Sequence, residues 1–198
     1  MTRSVAGRVC SLLALSVLLV GLIAVVSPAR AEAAYIGWFV YVRNGSNDNG
    51  TLMWKWTIDD FPPVYSVSHR AGSGNAPNDN TNGWLPVGWY SIKEHWNKYD
   101  GDINGRVWRL SNKWSVQNPS VLRYDLFIHT EETPANGQSS SVESERWDGP
   151  SDYYSLGCVK VSYGNMDGVH TRWAKYGGST AHGSGSPYPL SSKLYVHN

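Results

Sequence analysis

The side chains best suited to chemistry in this chain are the thiol of Cys158, in Ser155-Leu156-Gly157-Cys158-Val159-Lys160-Val161, and the imidazole of His129, in Phe127-Ile128-His129-Thr130. Only the thiolate of a cysteine attacks. An unperturbed thiol with a pKa near 8.5 is about 3% ionised at neutral pH, and a histidine base within hydrogen-bond reach can raise that fraction up to about thirtyfold. The one other cysteine, Cys10, lies in the apolar N-terminal stretch. An exported protein that loses that stretch keeps one thiol with no disulfide partner, which points to a nucleophile or to a small buried residue. His129 ends an apolar run and Cys158 opens another after Gly157, so the two meet if those runs are neighbouring strands. Read without that chemistry, Cys158 is a small hydrophobe, His129 a satisfied core histidine, Ser155 an ordinary turn serine and Lys160 a solvated strand lysine.

A third segment, Leu85-Pro86-Val87-Gly88-Trp89-Tyr90-Ser91-Ile92, precedes these two. In that order the three segments resemble the L,D-transpeptidase (YkuD-like) family of bacterial cell-wall enzymes. Its catalytic segment reads Ile-His-Gly, a loop, then Ser-x-Gly-Cys-(Ile/Val)-Arg, and its earlier segment reads Thr-Pro-x-Gly-x-Tyr-x-Ile. The likeness runs from about Tyr35 to about Ser162. Thr130 stands for the usual Gly, Leu156 for a frequent His, Lys160 for the usual Arg and Leu85 for the usual Thr. The resemblance implies Cys158 as nucleophile, His129 as base, and Ser155 and Gly157 as parts of the catalytic turn. The Gly157 and Cys158 N-H groups would face a developing oxyanion, as a residue with no Cβ allows. It also implies peptidoglycan stem peptides as substrate; Lys160, two residues along from Cys158 on one strand face, is placed to hold a substrate carboxylate or favour the thiolate, and Thr130, Leu156, Trp147 and Tyr154 are expected as further substrate contacts. No cofactor is expected. Papain-like hydrolases place the cysteine first, on a helix N-terminus; here histidine comes first.

The elements that must position this pair begin after residue 33. Arg3 and Arg8 precede an apolar run from Val9 to Val26, followed by small residues around Ala29 to Ala33, the pattern of a secretory signal peptide; an uncleaved anchor is the rival reading. Residues 34–198 are expected to form one domain, secreted or held at the cell wall, with no stable membrane anchor after cleavage. Taking Arg3, Arg8 and Arg30 from the 17 lysines and arginines leaves 14 against 16 acidic residues, or 15 once Glu32 also goes, so no nucleic-acid partner is expected. His69, His95, His170, His182 and His197 have no close partners at ligand spacing, and no metal is assigned.

All ten tryptophans lie in the mature part, in keeping with a pleated, half-buried surface. Gly37 to Arg43 and Thr51 to Ile58 bracket an Asn- and Gly-rich stretch and read as a hairpin. Val64 to Ser68, Trp89 to Trp96, Val107 to Leu110, Asp125 to His129 and Cys158 to Ser162 read as further strands, and Lys193 to His197 as an edge strand. The fold expected is mainly β, an L,D-transpeptidase-like sandwich or barrel with one short helix after the cysteine strand. That helix is read over Met166 to Tyr176, capped by Asn165 and stopped at Gly177-Gly178. Residues 177–187 read as loop.

Thr130 to Tyr154 is long for a structureless connection and reads as a lid. Its bias of Glu131, Glu132, Glu143, Glu145, Asp148 and Asp152 against Arg146 suits a protonated acceptor amine. The function expected is an L,D-transpeptidase working through a thioester. The alternatives are an L,D-carboxypeptidase or an exported wall-trimming toxin with the same site, and a non-catalytic cell-wall-binding module.

Overall fold

The expected hairpin forms. Strand β1 (Tyr35–Val42) runs antiparallel to β2 (Gly50–Ile58), with Phe39 opposite Trp54 and Tyr41 opposite Leu52. Leu52, Trp54 and Trp56 alternate with half-exposed Thr51, Met53 and Lys55, the period-2 signature of a strand with one buried face. The computed structural model describes residues 35–58, 61–176 and 193–198. The signal peptide expected over 1–33, the loop expected over 177–187 and His182 lie outside them.

Eight strands close into a barrel. Beyond β1 and β2 these are β3 (Phe61–Ser73), β4 (Gly88–Asp100), β5 (Asn104–Leu110), β8 (Phe127–His129), β9 (Val159–Val161) and β10 (Lys193–His197), in the spatial order β1-β10-β4-β5-β8-β9-β3-β2. A separate ribbon pairs β6 (Lys113–Trp114) with β7 (Leu122–Arg123). The expected edge strand Lys193 to His197 is not an edge: it joins β1 in parallel and β4 antiparallel and so closes the sheet. Strand β3 is longer than the apolar run within it, because its first part pairs with β2 and its last three residues with β9.

The interior is aromatic. Phe39, Trp54 and Trp108 pack edge to face, with ring centroids 4.7 and 5.6 Å from Phe39. The single α-helix among the described residues, α1 (Tyr163–Lys175), lays Met166, Val169 and Trp173 on this core, spaced along one helical face. It starts earlier than the expected Met166 because Ser162 holds the N-cap position, and Asn165 lies inside the first turn. Trp173 meets Trp108 edge-on at 5.4 Å.

A buried ion pair ties this frame to the segment after His129. Glu132 accepts from the Arg106 backbone N-H at 2.5 Å, from its Nε at 3.1 Å and from a terminal nitrogen at 2.6 Å. Arg106 also reaches Asp167 on α1. Gly105, at φ +81°, makes room: a Cβ there would lie 2.1 Å from the Glu132 side chain.

Two predictions follow from this packing. The Glu132 side chain is 0% exposed whereas that of Asp167 is 84% exposed, so the two partners of Arg106 differ in worth. Glu132→Ala is expected to cost about 3 to 5 kcal/mol by leaving a buried guanidinium half-paired, and Asp167→Asn less than about 1 kcal/mol. Urea unfolding measures both, and equal losses contradict the assignment.

His95 generates the second. Its ring is buried against Trp173 at 4.2 Å and Trp108 at 5.0 Å, and its Nε2 has no hydrogen-bond partner among the described residues. Burial, with the neighbouring His170 second, lowers its pKa to about 3. The unfolded chain restores a value near 6.5, so between these limits the unfolded state binds the extra proton and stability falls as pH falls. Acidification from about pH 7 to about pH 4.5 should therefore lower the unfolding free energy, and His95→Phe should remove part of that loss, the rest coming from His129, His69 and His170, whose pKa values burial also lowers. A stability independent of pH over this range contradicts it.

Candidate active site

The site begins with a strand pairing. β8 and β9 run parallel, with Ile128 opposite Val159 and His129 opposite Lys160. Paired residues point to the same face of a sheet, and so do residues two apart along a strand. His129, Lys160 and Cys158, which directly precedes β9, therefore share one face. All three line one cleft of about 730 Å³.

His129 is buried, and its Nδ1 lies 2.9 Å from the Thr130 carbonyl oxygen. A carbonyl only accepts, so Nδ1 carries the proton in the neutral ring and Nε2 is left as the acceptor. Burial, with Lys160 second, lowers the His129 pKa to about 3. The Cys158 thiol is displaced the other way, to about 11, chiefly by burial, with the Phe127 backbone, Lys160 and Arg123 pulling against that. The sequence led us to expect a thiolate fraction raised by histidine. Desolvation reverses this: burial holds the thiol protonated at neutral pH, its Sγ 3.7 Å from the Asp125 carbonyl oxygen, and leaves the imidazole uncharged.

The turn that delivers Cys158 is held from two sides. Ser155 Oγ accepts from the Gly74 N-H at 2.8 Å and from the Gly157 N-H at 3.0 Å, and donates to the Cys158 carbonyl at 2.7 Å. Ser155 thus shapes the loop. Its bond to Gly157 takes up one of the two amides expected to face an oxyanion, leaving the Cys158 N-H for that role. Gly157 sits at φ +115°, and a Cβ there would lie 1.8 Å from an Arg123 terminal nitrogen.

Arg123 is the residue that sequence reasoning missed. Its buried guanidinium donates to the carbonyls of Asp79, Trp84 and Leu156 at 2.8, 3.2 and 2.9 Å, clamping the 79–84 loop to the cysteine turn. Asp79 in turn accepts from the Val116 and Gln117 N-H groups at 2.7 and 3.1 Å, which fixes the ribbon carrying Arg123.

The expected substrate contacts divide. Lys160 and Leu156 line the cleft, and Leu156 is exposed. Thr130 is 1% exposed and buried away from the cleft lining, so it serves through its carbonyl. Trp147 packs edge-on against Tyr153 at 4.8 Å, and neither it nor Tyr154 lines the cleft. Tyr99, Leu122, Tyr124 and Phe127 supply the aromatic and apolar wall instead.

The 130–154 segment is tied down by its own side chains and by Arg106, Asn104 and Lys160. Its acids are engaged: Glu131 with Lys160, Glu132 with Arg106, Glu143 and Asp148 with Arg146, Glu145 with Asn104, and Asp152 with the Asp148 and Gly149 N-H groups. Among the described residues, only Lys160, Arg106 and Arg146 bring positive charge to these six acids, so the acidic bias is offset in part. Ser144 and Glu131 bring the segment to the cleft.

No family model matches this chain, and no curated protein does. Among solved structures it is similar to the helical cell shape determining protein Pgp2 from Campylobacter jejuni, at 12% identity and a TM-score of 0.47, over 84% of this chain and 50% of that one. A mutant of the same protein gives 12% identity and a TM-score of 0.46, over 84% and 49%. The chain spans about half the length of the structures it matches, and a likeness of this size says nothing about chemistry.

Proposed function

We propose that the protein is a secreted cysteine acyltransferase of the L,D-transpeptidase kind, acting on the peptide stems of bacterial peptidoglycan. One observation carries the catalytic part: Cys158 and His129 share a face of two paired strands and one cleft, with the histidine tautomer fixed by the Thr130 carbonyl. The substrate comes from the resemblance of the Ile128-His129 and Ser155 to Lys160 segments to that family.

In this reading the Cys158 sulfur attacks the carbonyl of the third stem residue, a diamino acid, as its proton passes to His129 Nε2. The Cys158 N-H faces the oxyanion. The tetrahedral species collapses to a thioester, and the C-N bond to the terminal D-alanine breaks as His129 returns the proton to the leaving amine. A side-chain amine from a neighbouring stem, or water, then attacks the thioester and regenerates the thiol. Hydrolysis, the L,D-carboxypeptidase outcome, is the second reading. It is favoured by the pairing of Glu131, the one acid of that stretch lining the cleft, with Lys160.

Mass spectrometry of stem tetrapeptides incubated with the protein tests the reading directly. Loss of D-alanine, with or without dimer formation, is expected from the native chain and none from Cys158→Ala, while His129→Ala should lower kcat/KM by about 10²- to 10⁴-fold. D-alanine release that survives Cys158→Ala overturns it.

The two displaced pKa values set the pH profile. His129 stays an available base down to about pH 3 and the Cys158 thiol keeps its proton up to about pH 11, so kcat/KM should be flat across the neutral range. Acid loss comes only as the imidazole protonates near the lower value. A limb between about pH 6 and 9, where unperturbed histidine and cysteine titrate, contradicts the neutral pair.

A further inference from the structure

The expected role of Lys160, holding a substrate carboxylate, meets an obstacle in the structure: the ammonium already has a carboxylate. Lys160 Nζ donates to Glu131 Oε1, both side chains are nearly buried, at 11% and 13% exposure, and both residues belong to the cleft wall that carries Cys158 and His129. The sealed pair of Arg106 and Glu132 is different, since neither of those residues lines the cleft.

We propose that Glu131 is a built-in carboxylate that caps Lys160 in the free protein, and that Lys160 exchanges it for the C-terminal carboxylate of the peptide to be cut. Glu131 is thereby a positioning residue that tunes the preference of the site for a peptide ending one residue past the scissile carbonyl. The inference rests on the acyl-transfer reading above and deepens it by naming the substrate end that the cleft selects.

Geometry supports the exchange. Cys158 and Lys160 lie two apart on one face, so their Cα atoms are about 7 Å apart along the strand. A carboxylate one residue past the attacked carbonyl lies about 4 Å beyond it, within reach of a lysine side chain anchored there. A longer peptide would set a neutral amide against the ammonium in place of an anion. Energetics agree. A nearly buried ammonium stripped of its partner is costly, whereas replacing one carboxylate by another keeps the ammonium paired throughout. Burial also pushes the Glu131 carboxyl above its usual range against the pull of Lys160, so Glu131 gains hydration when it is displaced.

The test compares a stem tetrapeptide with a free terminal carboxylate and the same peptide as its C-terminal amide, binding by calorimetry to the Cys158→Ala protein. The free acid should bind more tightly than the amide. Glu131→Gln in that background should widen the acid-to-amide ratio by about three- to tenfold. The double change Glu131→Gln with Lys160→Met, which buries no lone charge, should bring the ratio to about one. In the active protein, Glu131→Gln should lower KM for the free acid with little change in kcat. A ratio unmoved by Glu131→Gln, a preference for the acid that survives the double change, or no binding of either peptide overturns the proposal. Failure of the acyl-transfer reading shows separately, as native protein that releases no D-alanine from a peptide it binds with the expected ratio.

Discussion

The parallel pairing of β8 with β9 is the constraint on which everything else depends. With His129 opposite Lys160, the imidazole, the ammonium and the thiol face one way; a slip of one residue would turn Cys158 to the other side of the sheet. Parallel strands cannot be joined by a tight turn, so the segment between them must be long, and its acids make it a structured connection. Register is then held from three sides. β3 pairs with β9 through Ala71 to Ser73, β5 pairs with β8 through Trp108 and Arg109, and Arg123 clamps the turn before Cys158. Glu132, three residues past His129, is fixed by Arg106.

Desolvation sets the chemistry that this register permits. Burial favours the neutral form of both groups proposed to react: it depresses the imidazole and raises the thiol. Lys160 acts in both directions, disfavouring the imidazolium and favouring the thiolate, yet its influence is smaller than that of burial. For the proposed acyl transfer this means a nucleophile that is not preformed, with proton transfer and attack proceeding together at a carbonyl already placed against the sulfur.

Much of this was legible in the chain. The first hairpin, the strands ending in His129 and starting at Cys158, the helix after them and the mainly β class all follow from alternation, turn residues and the small residues around the thiol. The rest depends on long-range pairing that local patterns do not encode. Lys193 to His197 looks like an edge because nothing in it announces two partners, and β3 extends beyond its apolar run because pairing with β9 continues the ladder through Gly72 and Ser73. Arg123 was missed for a definite reason. In Leu122-Arg123-Tyr124 ordinary alternation puts the arginine outside, whereas the ribbon buries the guanidinium and exposes Leu122 and Tyr124. The requirement for glycine at 157, next to a turn that must accept a guanidinium, was the one local hint. Thr130, Trp147 and Tyr154 were chosen by proximity to the motifs in sequence, and proximity in sequence does not tell which way a loop residue faces.

The most direct test of the neutral pair is the ultraviolet absorbance of the thiolate followed against pH, with Cys158→Ser as the blank. The account predicts a single thiol titrating near pH 11, with His129 uncharged throughout the neutral range. A thiolate already present below about pH 7, formed together with a protonated His129, would contradict it.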